Sequence, residues 1–414
     1  MGEQRTAAGP SEHGPVEHGP VEHDLFEHVE LERLHRRRTV KWSLYGPEVL
    51  AAWVAEMDFD VAPPITAALH RAVDREDFGY VEADLSELTT ACAEALEDLH
   101  GWTVSPARIF PVADVLAGMT AALELFSPAG APVVVPTPAY PPFFEVVELT
   151  GRPAVAVPML RDERSRWTLD LDLIDAALTA GARTILLCSP HNPTGRVFTQ
   201  DELAALAEVV DRHGARVVAD EVHAPLVLAG VHHVPYASVS EAAAQHTITL
   251  RSASKAWNLA GLKCAQVVAS NHEDAATWRR LPVFAVGGPT PLGVAASVAA
   301  YREAGEWRQG LVAHLDRQRV RLRELLDAHL PAARLTWPEA TFLSWIDCSE
   351  LGLDAPAAHF LHHGGVALSD GPPFGVGSEQ FVRLNFATSS ALLERIVERM
   401  GAALGGRRPA KLTP

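Results

Sequence analysis

An α/β architecture with one large and one smaller lobe is predicted by three features of the sequence. Short aliphatic runs alternate with amphipathic helical segments along the middle of the chain, long helices take over from about Pro291, and the chain is 414 residues long. That length exceeds the roughly 250–300 residues that one hydrophobic core serves, so at least two lobes are expected.

The clearest strands are Val133–Val135, Thr184–Cys188, Arg216–Ala219 and Thr247–Leu250, with another over 109–112. Each is brief, apolar and followed at once by polar or proline-containing sequence, as buried parallel strands are. Between Thr199 and Gly214 the signals of a helix are complete. Thr199 and Glu202 have the spacing of a capping box, Leu203, Leu206 and Val210 fall on one face, and Gly214 ends the run. A strand, helix, strand unit therefore spans about 184–219. Helices over 292–304 and 306–330 follow, then a mixed segment containing Phe342-Leu343-Ser344-Trp345-Ile346. The division expected is a poorly ordered leader (1–35), an arm belonging with the smaller lobe (36–60), a large domain (61–290), a small C-terminal domain (291–404) and a tail (405–414).

Composition narrows the function. Hydrophobic residues make up 48% and charged residues 21%, as in ordinary globular proteins. A formal charge of −17 opposes nucleic-acid and anionic-membrane partners, and the short His35-Arg36-Arg37-Arg38 patch does not change that. The 4 cysteines lack CxxC spacing, which indicates neither a disulfide framework nor a zinc site and suits a reducing cytoplasm. No run has signal-peptide character or approaches the roughly 20 apolar residues of a membrane span. Residues 11–28 repeat a His-Gly-Pro-rich unit that spaces His13, His18, His23 and His28 five positions apart. A five-residue step does not stack side chains on one helical face, so the repeat reads as a solvated leader rather than a metal site.

The chemistry lies beyond the carboxyl ends of the strands, where open α/β sheets bind ligands. Three successive strand ends carry Ser189-Pro190-His191-Asn192-Pro193-Thr194-Gly195-Arg196, then Asp220-Glu221-Val222-His223, then Ser252-Ala253-Ser254-Lys255. Taken singly, these are a turn, a helix cap and a surface lysine. At consecutive strand ends they can converge on one ligand. Pyridoxal 5′-phosphate (PLP) needs an acid to keep its ring nitrogen protonated and a lysine to carry its aldehyde as a Schiff base, roles that Asp220 and Lys255 can fill.

The segments SPHNPTGRVF, ADEVHAPL, SASKAWNLAGLK and FVRLNFA resemble the fold-type I aminotransferase superfamily of PLP enzymes. Together with WVAEMDF, FGY at 78–80, TPAYPPFF and PEATFLSW, they resemble its MalY/PatB group of cystathionine β-lyase-like C–S lyases, from about Arg36 to Met400. The resemblance implies a fold-type I PLP-dependent transferase fold, with a mostly parallel central sheet flanked by helices and a smaller α+β C-terminal domain. It makes Lys255 the Schiff-base lysine, Asp220 the pyridinium partner and Asn192 a donor near the cofactor's phenolic oxygen and the substrate. His223 stands where many relatives have a tyrosine near that oxygen, and Tyr140 matches the aromatic that stacks on the ring. Phosphate contacts fall to the backbone at Val115 and Leu116, where Asp114 opens a helix, and to Ser252 and Lys263, with Ser254 a further cofactor-binding residue. Tyr80 matches a residue that reaches the partner subunit's phosphate and substrate, which implies a homodimer with shared active sites. Arg383 matches the arginine that grips the substrate α-carboxylate.

Two departures bear on specificity: Glu56 in place of the usual aspartate of WVADMDF, and VADVLAG where PGVVPAL-like sequence is common. The activity implied is β-elimination from cystathionine or a related L-cysteine S-conjugate, giving thiol, pyruvate and ammonia. The alternatives are transamination of an L-amino acid and a cofactor-binding regulatory role exerted through a protein partner.

Overall fold

The structure, a computed structural model, describes residues 25–282 and 285–405. A seven-stranded sheet has the spatial order Ile109–Val112, Ala265–Ala269, Thr247–Arg251, Arg216–Asp220, Thr184–Cys188, Val133–Thr137, Ala154–Pro158. The last five strands in that order run parallel, and Ala265–Ala269 is antiparallel to both of its neighbours. One consequence places the site. Ile109–Val112 runs in the same direction as Thr247–Arg251, so its carboxyl end and the start of Ala265–Ala269 both lie at the sheet edge where Asp220 ends its strand.

The strands are apolar throughout because helices cover both faces, and strand alternation sorts their side chains. Val133, Val135, Leu186 and Val218 pack with Met119 of the helix Val115–Phe126 and Val147 of Pro142–Leu149. Val134, Ile185, Leu187 and Val217 pack on the other face with Ile174 of Leu171–Thr179 and Leu203 and Leu206 of Gln200–Arg212. That last helix has the expected capping box: Glu202 N–H donates to Thr199 Oγ1 (3.2 Å) and Thr199 N–H to Glu202 Oε2 (2.7 Å). Gly214 beyond it has φ +56°, which an L side chain rarely adopts.

A second, antiparallel sheet has the order Arg334–Leu335, Leu343–Asp347, Phe381–Asn385, Ser369–Asp370. Its core combines Leu343, Ile346, Val382 and Leu384 with Leu311 and Leu315 of the helix Gly305–His329 and Leu393 and Ile396 of Ser390–Leu404. The arm joins this part through Leu50–Ala51, which pairs in parallel with Val366–Ala367. The expected boundary at 291 falls at the start of the helix Pro291–Glu303, whose packing is against Pro63–Asp74 and Ser86–His100.

The expected leader needs a correction. His13, His18 and His23 lie outside the described residues, but 25–35 do not form a loose tail. Phe26 is only 3% exposed and meets Phe59, Trp307 and His314 at ring-centroid distances of 5.0, 5.5 and 5.5 Å, and a helix follows at Leu31–Arg36. Burial of one aromatic anchors a segment whose composition suggests none. The expected tail begins at Gly405, and residues 406–414 lie outside the described residues. Among the described residues no helix is long and apolar enough to cross a membrane.

Candidate active site

The parallel register sets Cys188 beside Asp220 and Asp220 beside Leu250, so three strand ends finish level with one another. Asp220 and Lys255 thereby reach one cleft, which is also lined by Asp114, Val115, Leu116, Tyr140, Ser252, Ser254 and Lys263. Burial raises the Asp220 carboxyl to about 6, while its hydrogen bond from Val222 N–H (3.1 Å) and the nearby Lys255 ammonium act the other way. Burial and, next, the Arg383 guanidinium lower the Lys255 amine from 10.5 to about 8, against the opposing Asp220 and Glu56 carboxylates. Lys255 Nζ donates to the Ala55 carbonyl at 3.3 Å. A lysine near 8 has a substantial neutral fraction around neutral pH, the form that attacks an aldehyde.

Arg383 is 5% exposed at the centre of its strand. Its Nη1 donates to Asn192 Oδ1 (2.9 Å), and its Nη2 to Ser369 Oγ (3.1 Å) and the Trp53 carbonyl (3.2 Å). Phe374 lies 5.1 Å from the guanidinium carbon, and buried Nε has no partner. Among the described residues no carboxylate pairs with Arg383. A buried cation held only by neutral acceptors is costly, and an incoming carboxylate relieves that cost. With Asn192 Oδ1 taken by Arg383, the Asn192 amide NH2 remains as a donor.

His223 is 2% exposed, and burial followed by Lys255 and Arg383 lowers it to about 3, so it is neutral. Its Nδ1 is buried without a hydrogen-bond partner, a vacancy that a ligand acceptor or donor can fill. Tyr140 is half-buried, and burial raises its hydroxyl above the ordinary value while the Arg383 guanidinium acts the other way.

The expected phosphate end differs in detail. Asp114 caps the helix Val115–Phe126 by accepting from Ala117 N–H (2.8 Å), and its other oxygen binds Lys263 Nζ at 2.6 Å. The carboxylate sits where helix N–H groups and a lysine would receive an anion. Ser252 Oγ donates to the Cys264 carbonyl (2.7 Å) and accepts from Ser254 N–H (3.0 Å), which ties the two serines to the start of the next strand. Tyr80 is not brought to this cleft. It is fully exposed and lines a separate depression with Arg71, Arg75 and Glu87.

The sequence did not single out Ser369, which is cross-strand from Arg383. Nor did it show that the Trp53-Val54-Ala55-Glu56-Met57 backbone acts as a strap over the site. Asn385 Nδ2 donates to the Val54 and Glu56 carbonyls (both 2.7 Å), Lys41 Nζ donates to the Glu56 carbonyl (2.9 Å), and Asn258 bonds Met57 N–H (2.9 Å) and its carbonyl (3.0 Å). The WVAEMDF motif marked the segment, but backbone carbonyls leave no signature in side-chain identities.

The donor set fits PLP: a buried acid and a lysine on adjacent strand ends, an unpartnered histidine nitrogen, and a helix N-terminus beside a lysine. The family model for aminotransferase class I and II matches residues 54–400. The chain belongs to that family. It is 38% identical to a cystathionine beta-lyase of Corynebacterium glutamicum over 91% of this chain and 99% of that protein. It is 33% identical to the cystathionine beta-lyase PatB of Bacillus subtilis over 89% and 97% of the two chains. The crystal structure of a PLP-bound C–S lyase from Staphylococcus hominis superposes with a TM-score of 0.84 at 26% identity, covering 92% of this chain and 98% of that one.

Two predictions follow from the electrostatics. The apoprotein's rate of PLP capture rises with pH through about 8, as the Lys255 amine loses its proton. Arg383→Gln removes a cation that lowers that amine, so its profile moves to higher pH in stopped-flow absorbance. Asp114→Asn keeps a helix cap, removes a negative charge from the anion niche and frees Lys263. It is expected to tighten PLP binding roughly two- to fivefold, read by fluorescence titration of the apoprotein.

Proposed function

We propose that this chain is a PLP-dependent carbon–sulfur β-lyase that cleaves cystathionine or a related L-cysteine S-conjugate to a thiol, pyruvate and ammonia. The observation that carries the reading of the site is Arg383, a buried guanidinium without a carboxylate partner that acts on both Lys255 and Tyr140. The choice of β-elimination is supported by relatives named cystathionine beta-lyase at 38% and 33% identity over nearly the whole chain.

When bound, PLP supplies an aldehyde that condenses with amines and an electron-withdrawing ring that takes up the electron pair left at Cα. The protein groups do the rest. Arg383 receives the substrate α-carboxylate in a bidentate contact, with Asn192, Ser369 and the Trp53 carbonyl holding its plane. Asp220 holds the proton on the ring nitrogen. The Lys255 amine, near 8 when free, would serve as the base that takes the Cα proton. The Cβ–S bond breaks, sulfur leaves as thiol after taking up a proton, and water then releases pyruvate and ammonia. Neutral His223, with its unpartnered Nδ1, and the Asn192 amide would hold the cofactor's phenolic oxygen.

We read Tyr80, exposed and away from its own cleft, as the contact to a partner subunit's phosphate and substrate in a homodimer. An isologous pair donates one Tyr80 to each site.

The deciding experiment mixes holoenzyme with L-cystathionine and no keto-acid acceptor. Thiol and pyruvate are expected to form together and to vanish in Lys255→Ala. Amination of the cofactor without thiol release would make the chain an aminotransferase instead. For the shared site, inactive Lys255→Ala subunits and weakly active Tyr80→Phe subunits are expected to regain activity when refolded together, because one of the two mixed sites then has both Lys255 and Tyr80. Refolded mixtures no more active than the parents would place Tyr80 outside the site.

A further inference from the structure

Behind Asp220 lies a buried charged cluster that the reaction above does not use. Glu221 follows Asp220 directly and is 0% exposed. Its Oε1 accepts from the Tyr236 N–H (2.9 Å), and its Oε2 lies 3.2 Å from His233 Nε2 and 3.4 Å from Arg251 Nη1. Arg251 ends the strand beside that of Asp220, and its Nη2 donates to His100 Nε2 at 3.1 Å. His100 therefore carries its proton on Nδ1 and is neutral, in keeping with burial and Arg251 holding it far below the usual histidine range. The backbone repeats the connection, because Glu221 N–H donates to the Leu250 carbonyl (3.0 Å).

The pair thus bridges two strand ends, one delivering Asp220 and the other leading to Ser252 and Lys255. A buried ion pair adds little net stability over apolar packing of the same volume, so stability alone does not account for this one. We propose that Glu221 is a positioning residue for Asp220: with Arg251 as counter-charge, it fixes the strand end under the ring nitrogen and balances the potential there. The proposal rests on the reading of Asp220 as the ring-nitrogen partner.

Other groups facing the pair are Arg308, Cys92 and Tyr301. Arg308 acts on His100, while Cys92, raised to about 12, and Tyr301, raised well above its ordinary value, stay neutral. Glu221 and Arg251 face each other as opposite charges 3.4 Å apart, and removing either exposes the charge of the other. Opposite removals must act oppositely at Asp220. A purely structural brace predicts no such sign change.

The test is a pH titration of the visible absorbance of PLP-loaded protein, beside steady-state kinetics and apoprotein melting. Glu221→Gln leaves Arg251 unopposed, disfavours protons nearby and lowers the titration midpoint by roughly half to one pH unit. Its kcat falls about tenfold while KM changes less than about twofold. Arg251→Met raises the midpoint, and Arg251→Lys leaves it near wild type. If Glu221→Gln fails to fold, the Met and Lys variants at 251 carry the comparison. Midpoints that do not move, or that move the same way in Glu221→Gln and Arg251→Met, overturn the proposal. A wild-type protein that binds PLP without an Asp220-dependent spectrum would instead overturn the reading of Asp220, and Asp220→Asn separates the two cases.

Discussion

Cys188, Asp220 and Leu250 stand level on three adjacent parallel strands, and the chemistry of the cleft depends on that lateral register. A slip of one residue would turn Asp220 toward the opposite face and send Lys255 away with it. Two cores prevent the slip, since alternate residues of each strand are committed to helices on opposite sides. The ladder also continues past the strand ends. Ser189 N–H donates to the Asp220 carbonyl (2.9 Å) and Glu221 N–H to that of Leu250 (3.0 Å), so the segments bearing Asn192 and His223 start from pinned backbone.

Features encoded locally were legible in the sequence. Strand cores, the Thr199–Glu202 box and polar residues just past apolar runs each depend on a few neighbouring residues. Contacts between distant parts of the chain were not. Arg383 meets Ser369, 14 positions away, and the Trp53 carbonyl, 330 away, and nothing near position 369 advertises the contact. Lys263 lines the cleft, yet its partner Asp114 is 149 residues distant in sequence. The leader was misjudged for a related reason: composition averages over a segment, whereas one phenylalanine in a preformed apolar niche can decide its fate.

The charged groups of the cleft cannot be understood one at a time. Burial and then Arg383 lower the Lys255 amine, Lys255 pulls the Asp220 carboxyl down against its burial, and burial reinforced by both cations keeps His223 neutral. Each protonation state is a property of the set, which is how one pocket holds a partly neutral base and an anionic acid together.

The strap supplies backbone carbonyls to three cations around the cleft. Carbonyls of Trp53, Ala55 and Glu56 accept from Arg383, Lys255 and Lys41, while Asn258 and Asn385 hold the strap in place. Lys41 also has a buried carboxylate, Asp58 at 2.8 Å, whereas Arg383 has only neutral oxygens. Carbonyl dipoles solvate a cation but leave its charge uncancelled, which supports the proposed role of Arg383 in taking a substrate carboxylate. The departure at Glu56 is compatible with this arrangement. Its side chain turns to Thr39 Oγ1 (2.6 Å), and the strap uses only its backbone, so a longer acid at that position leaves the carbonyl row intact.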